Sequence, residues 1–366
     1  MQTHTQRLND VRTSYPLSRI APPDEILFLD IETTGFSAKS SYLYMIGCLY
    51  YENDAYHTIQ WFADTYEEED QILSSFFRFS KRFKYLVHYN GAQFDLPYLS
   101  KKIEKYQFSY TFDDFESIDI YKRIAPYKLL LSLENLKQKT IETYLKLNRE
   151  DLYNGGQLIS VYHEYVKTPT RYNSELLLLH NFEDLKGMLQ ILPILSYYDL
   201  FHTPLTYERS VLNEYEDIHG VKQRELLLTC DTPLPLPVDI SYQKNNCRIM
   251  SSSAQIKLRI PLLHQELKYF LPNHREYYYL PMEDTAIHKS VAAYVDRNHR
   301  ILATPATCYT KKEADFLPQW QPFVTPEFKN DYKDKVSYFC FEKAMLDDSS
   351  LLEEYAQKLL FMFIEA

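Results

Sequence analysis

The chain has 366 residues, of which 45% are hydrophobic and 25% charged; these are the proportions of a folded protein and exclude wholesale disorder and collagen-like repeats. Its length exceeds what one hydrophobic core usually organises and predicts two domains. A formal net charge of −10 excludes a uniformly basic surface but not a local basic groove, and carboxylates that hold metal ions would add to the same negative total.

No apolar run is long enough for a membrane span, and MQTHTQRLNDVRTSYPLSRIAPPDE lacks the apolar core of a secretory signal, so no membrane partner and a cytoplasmic location are expected. Five scattered cysteines (Cys48, Cys230, Cys247, Cys308, Cys340) argue against a disulfide framework and against a cysteine-built zinc site.

In chain order, residues 26–31 read as a buried strand. SYLYMIGCLYY (41–51) and AYHTIQWFA (55–63) add two more, split by the ENDA turn into an antiparallel meander. EEEDQILSSFFRFSKRF has helical apolar spacing, with acids first and bases last as the helix dipole favours. KYLVHYN (84–90) is a short strand, a helix starts near Phe94, ESIDIYKRI reads as a strand, and residues 132–196 are largely helical. The order is β-β-β-α-β-α-β-α-α-α. Prolines in FHTPL and DTPLPLPVD predict an extended connector or an edge segment over about 200–236, with a domain boundary near 215. Beyond it, RELLLTC, RIMSSSAQIKLRIPLL and RILATPATCY read as strands, DTAIHKSVAAYVDR as a helix, and LLEEYAQKLLFMFIE as a terminal helix.

Four acids stand out. In EILFLDIETTGF, Asp30 and Glu32 are two apart on a strand, so both project from one face. Like charges so placed repel unless something positive binds between them, and a divalent cation is the usual remedy. Asp95 follows HYNGAQF at a strand-to-helix turn. Asp184 lies in LLLLHNFEDLKGM on an apolar helix, with His180 four residues earlier on the same face.

DIETTGF, HYNGAQFDLPYL and HNFED, in that order, resemble the three sequence blocks of the DEDD superfamily of 3'-5' exonucleases. SIDIYKRI, SLENLKQKTI and REDLYNGGQLISVYHEYV further resemble the YprB-type branch of ribonuclease-H-like domains. The likeness covers about residues 24–200. It implies an α/β, ribonuclease-H-like fold, a mixed five-stranded sheet flanked by helices, with a second, smaller α+β domain. The organisation expected is an N-terminal extension (1–23), an exonuclease domain (24–214) and a C-terminal α+β domain (215–366).

The resemblance also implies that Asp30, Glu32, Asp95 and Asp184 hold two Mg²⁺ or Mn²⁺ ions, hard cations suited to oxygen ligands. Thr33, Gly35, Asn90 and Gly91 correspond to residues that face the substrate. One position departs from the pattern: superfamily members usually carry a tyrosine four residues before the last acid or a histidine five before it. Here the residue four before is His180, and the fifth back is Leu179. A neutral histidine there can deprotonate water, which makes His180 the expected base.

The activity implied is hydrolysis of phosphodiester bonds at the 3' end of single-stranded DNA or RNA. A binding module without turnover, or an endonuclease using the same ions, are the alternatives. Asp119 is expected to be structural or to support the metal ligands from behind. Asp151, Asn154 and the Gly155-Gly156 pair read as a helix start, with Asn154 as its cap; backbone amides at such a start can also hold phosphate. In residues 274–312 six basic side chains (Arg275, Lys289, Arg297, Arg300, Lys311, Lys312) face four acids (Glu276, Glu283, Asp284, Asp296), which suits either a strand-guiding surface or a solvated face.

Overall fold

Six strands among the first 198 residues share one sheet in the computed structural model, which describes residues 1–9, 11–150, 153 and 155–364. They are β1 (Gln2–Leu8), β2 (Ile26–Thr33), β3 (Leu43–Glu52), β4 (Ala55–Phe62), β5 (Tyr85–His88) and β6 (Glu116–Asp119), in the order β1-β4-β3-β2-β5-β6. β1 to β4 pair antiparallel, whereas β5 joins β2, and β6 joins β5, in parallel. The ribonuclease-H-like α/β class expected from the sequence is the one observed, with a strand added at one edge.

β2 is central and covered on both faces, which is why ILFLDI reads as a nearly unbroken apolar run. The flanking helices are α1 (Glu69–Ser80), α2 (Asp95–Tyr106), α3 (Ile120–Ile124), α4 (Gln138–Tyr144), α5 (Gly155–Lys167) and α6 (Arg171–Gln190). Leu29, Tyr44, Ile46 and Phe62 of the sheet pack with Ile72 and Phe76 of α1, Leu99 of α2 and Tyr162 of α5 in one core. α7 (Leu195–His202) contains the division between this unit, Met1–Tyr198, and the second, Asp199–Ala366.

The second unit is a β domain. β7 (Thr206–Glu216), β8 (Lys222–Asp231), β9 (Ser241–Lys244), β10 (Cys247–Ser252) and β11 (Gln255–Pro261) form a five-stranded antiparallel sheet ordered β7-β8-β11-β10-β9. β12 (Leu263–Phe270) belongs to a three-stranded sheet with β16 (Tyr309–Gln319) and β17 (Ser337–Cys340); β13 (Tyr277–Leu280), β14 (Thr285–His288) and β15 (Ile301–Leu302) form a smaller one. Besides the short α8 (Lys289–Ala292), the only long helix among the described residues of this unit past α7 is α9 (Ser349–Ile364). No helix of the described residues is long and apolar enough to cross a membrane.

Several expectations need correction. Residues 1–23 are not a mere extension, because β1 completes the sheet; its alternation is hidden by polar residues exposed on both faces. Of the two readings of 200–236, the connector is not seen: the end of α7 and the β7–β8 hairpin fill most of it, with β7 at the edge of its sheet, and the proline cluster begins only past β8. β7 runs through residue 215, so the division falls earlier, at Tyr198/Asp199. The helix read in DTAIHKSVAAYVDR is mostly absent: Thr285–His288 pairs with Tyr277–Leu280, and only Lys289–Ala292 is helical. RILATPATCY contributes two residues to β15 before turning. Asp151 and Asn154 lie outside the described residues.

Candidate metal centre

The central strand β2 sets the site. Asp30 is paired with Gly47 of β3, and Gly47 in turn with Gln60 of β4, so the three form a row across the sheet. Gly47 is where a missing side chain matters: a Cβ there would overlap Asn181 Oδ1 of α6. The room it leaves lets Asn181 lie over the row, donating from Nδ2 to Asp30 Oδ2 at 2.7 Å and accepting at Oδ1 from Gln60 Nε2 at 2.8 Å. Asn181, Gln60 and Gly47 escape sequence reasoning; the only signal for Asn181 is its adjacency to His180.

Two residues on, Glu32 is 8% exposed and accepts a hydrogen bond from Tyr44, whose ring stacks on Tyr162 at 4.2 Å between centroids. A register shift at Glu32/Thr33 then ends regular pairing. Asp95 opens α2, and its carboxylate accepts from the Ile31 N–H, the residue between the two strand acids. From α6, His180 Nε2 stands 3.4 Å from Asp184 Oδ2 and 3.7 Å from Glu32 Oε1. The i,i+4 spacing on one helix face produces the first of these contacts.

The electrostatics follow from the crowding. Burial raises the Asp30 pKa well above the carboxylate range, the charges of Asp184, Glu32 and Asp95 raise it further, and only the Asn181 hydrogen bond opposes them. Burial also lifts Asp95 to about 7, against the stabilising N–H groups of Asp95 itself and Ile31. Such a set of acids favours a cation. Glu32, His180 and Asp184 each offer a ligand atom within 4.8 Å of the others, and the donor set of carboxylate oxygens plus one imidazole fits Mg²⁺ or Mn²⁺.

The residues around the acids are mostly occupied with shaping the loops. Asp119 accepts from Asn90 N at 2.9 Å and Ala92 N at 3.3 Å, and caps α3 through Lys122 N, so it builds the turn that delivers Asp95. In that turn the left-handed residue is Asn90, at φ 60°, and not Gly91. Gly91 serves another end: a Cβ on it would press against the ring of His88, whose Nδ1 accepts from the Gly91 N–H at 3.1 Å. Burial pushes His88 down to about 4, so it is neutral. Asn90 Oδ1 is buried without a partner among the described residues. Thr33 and Gly35 sit in the loop after β2, where the Thr33 hydroxyl and Ser41 Oγ both donate to the Gly35 carbonyl. Next to them Phe36 is 92% exposed, edge-on to Phe94 at 6.0 Å.

In the second unit the basic stretch is divided: Arg275, Lys289, Arg297 and Arg300 flank the strands of the smallest sheet, and Lys311 and Lys312 lie on β16. Arg300 and Lys289 lie over the Tyr278 ring at 5.0 and 5.7 Å, while Lys311 pairs with Asp284.

Residues 27–196 match the family model described as the RNase_H superfamily. No curated protein matches the chain. Among solved structures, the chain is similar to the family B DNA polymerase of the archaeon Pyrobaculum calidifontis, at 16% identity and a TM-score of 0.41, over 49% of this chain and 26% of the polymerase. It is also similar to an exonuclease I structure, at 11% identity and a TM-score of 0.28, over 57% of this chain and 55% of that one. A zinc-bound Escherichia coli exonuclease I complex with single-stranded DNA gives 10% identity and a TM-score of 0.29, over 93% and 74%. The chain thus spans about a quarter of the polymerase and about half of the first exonuclease I structure.

Proposed function

We propose that the first unit is a metal-dependent nuclease that removes nucleotides from the 3' end of single-stranded DNA or RNA. The observation that carries this reading is Asp30: a half-buried carboxylate on the central strand, with three other acids around it whose charges all raise its pKa. A buried acid cluster of this kind is stable at neutral pH only with protons or cations among its members.

Asp30, Glu32, Asp95 and Asp184 are the residues that would hold a pair of Mg²⁺ or Mn²⁺ ions. Bound there, the ions would supply a more acidic water and neutralise charge on the scissile phosphate. His180 Nε2, 3.4 Å from Asp184, is the base that takes the proton of the attacking water. Asn181 keeps the Asp30 carboxylate aimed by holding one oxygen. Phe36, exposed beside Thr33 and Gly35, offers a ring face on which the terminal base stacks, a contact that tolerates any sequence. Asn90 and Gly91 border the same end of the sheet, next to the turn that leads into Asp95.

The test is digestion of end-labelled single strands in Mn²⁺ or in EDTA. Shortening from the 3' end in Mn²⁺ only, lost in Asp30→Asn, is the expected result, with circular single strands left intact. Binding without a metal-dependent product ladder would sink the proposal, and cut circles would make the enzyme an endonuclease.

A further inference from the structure

Helix α4 meets α6 at the height of Asp184, and the contact is polar. Gln138 Nε2 donates to the backbone carbonyl of Asp184 at 2.9 Å and to Glu142 Oε1 at 3.0 Å. Glu142, only 5% exposed, also accepts from Arg149 Nη1 at 3.3 and 3.5 Å through its two oxygens. The other arm of the same guanidinium, Nη2, lies 2.6 Å from Asp184 Oδ1. Gly187, nearly one helical turn past Asp184, makes the approach possible, because a Cβ on it would overlap Glu142 Oε1 and crowd Gln138 Nε2.

Two consequences follow for Asp184. Its main-chain carbonyl and its Oδ1 are held from one side, which leaves Oδ2 as the oxygen turned toward His180 at 3.4 Å. The guanidinium charge that does the holding is balanced by Glu142, so the negative potential of the Asp30, Glu32, Asp95 and Asp184 group is kept for a cation rather than cancelled. A planar fork bonded to two carboxylates fixes direction in a way that an ammonium cannot.

We infer that Gln138, Glu142 and Arg149 are positioning residues: a clamp that makes Asp184 present a single oxygen, Oδ2, to the divalent ion. This rests on the metal-centre reading above. None of the three touches the reacting atoms, and hydrogen-bond partners of metal ligands typically change metal affinity by about 10–100-fold when removed.

The experiment is calorimetric titration of the full chain with Mn²⁺, alongside melting in EDTA and steady-state hydrolysis of a single-stranded oligonucleotide. Arg149→Gln is expected to weaken Mn²⁺ binding by about 10–100-fold, with kcat reduced at saturating Mn²⁺ and KM for the oligonucleotide little changed. Arg149→Lys, which keeps the charge but reaches one acid only, recovers part of the affinity, and it also serves as the informative variant if Arg149→Gln does not fold. Gln138→Ala, which leaves both ion pairs in place, is expected to show a smaller loss in the same direction. If the wild type binds Mn²⁺ and the Arg149 variants bind it equally well, the clamp is overturned and the metal centre stands. Tighter binding in Arg149→Gln also overturns the clamp, since Arg149 would then be a competitor for Asp184. If the wild type binds no Mn²⁺, the metal centre itself fails, and the clamp with it.

Discussion

Two acids of the first unit, the buried Glu69 and the half-buried Asp30, have opposite surroundings. Glu69 at the start of α1 is fully buried, yet Lys102 and Lys105 reach its two oxygens at 2.6 and 2.8 Å, Tyr106 donates at 2.6 Å and the Leu43 N–H at 2.7 Å. Burial alone would raise its pKa; the bonds from Lys102, Lys105 and Tyr106 outweigh burial and hold it below the ordinary value. Asp30 has one amide donor and three acids, and its pKa goes the other way. Counter-charge reaches Glu69 directly, whereas none among the described residues reaches Asp30, as its proposed work with an external cation requires. Burial by itself does not separate the two cases; the partners do.

The largest expected effects are a crossed pair. Asp30→Asn should lower hydrolysis by about 10³-fold or more, the scale of losing a group on which transition-state charge depends, without lowering the melting temperature in EDTA, because a repelling charge is removed. Glu69→Ala should do the reverse, costing about 3–5 kcal/mol because Lys102 is left buried and unpaired, with activity per folded molecule retained. Denaturant melts and single-turnover rates on both variants decide it; an Asp30→Asn that unfolds, or a Glu69→Ala that melts like wild type, breaks the contrast.

Next comes Gly47→Ala, which forces Asn181 off the Asp30 row. Overpacking should cost about 1–3 kcal/mol, and Mn²⁺ affinity should fall together with stability. Loss of stability alone would show that Asn181 does not aim Asp30. Phe36→Ala, at an exposed position, should leave stability unchanged and weaken single-strand binding by roughly tenfold, since base stacking on a ring is worth about 1–3 kcal/mol; fluorescence anisotropy in EDTA reads this directly.

The smallest effect is a slope with pH. A carboxyl raised to about 7, such as Asp95, keeps its proton in the metal-free fold, so the stability it contributes is full below its ordinary value of 3.8 and is lost as pH climbs through about 7. On the proposed reading of the site, a divalent ion replaces that proton. The melting-temperature gain from Mn²⁺ over EDTA should therefore grow from pH 5.5 to 8. Taking the difference cancels His88, whose depressed value acts with the opposite sign, contributing stability that is lost as pH falls toward about 4. A gain that is flat with pH would mean that protons and ions do not share a site.

Periodicity explains what was legible in the sequence. Alternation along a strand puts Asp30 beside Glu32, the helical period puts His180 beside Asp184, and a turn signal puts Asp95 at the head of α2. The partners that shape these acids are not periodic. Gly47 and Gln60 matter because register sets them opposite Asp30, and Arg149 and Gly187 because two helices cross; neither fact is encoded in local spacing. β1 was missed because QTHTQRL buries only Leu8 at its end, so its stability comes from the backbone ladder to β4 and not from an apolar face. In the second unit, Thr285–His288 was misread because Ala286 and Ile287 suit a helix as well as a hairpin, and pairing with Tyr277–Leu280 decided the outcome.

That ladder has a practical consequence. From Gln2 opposite Phe62 to Leu8 opposite Tyr56, the first strand shields the outer margin of β4, a segment carrying Ile59, Trp61 and Phe62. Trimming the chain to begin near residue 24, where the sequence motifs start, would bare that margin with its unpaired amides and carbonyls next to large apolar side chains. Molecules shortened in this way would be prone to zip together strand against strand and come out of solution, even though every residue of the proposed metal centre had been retained.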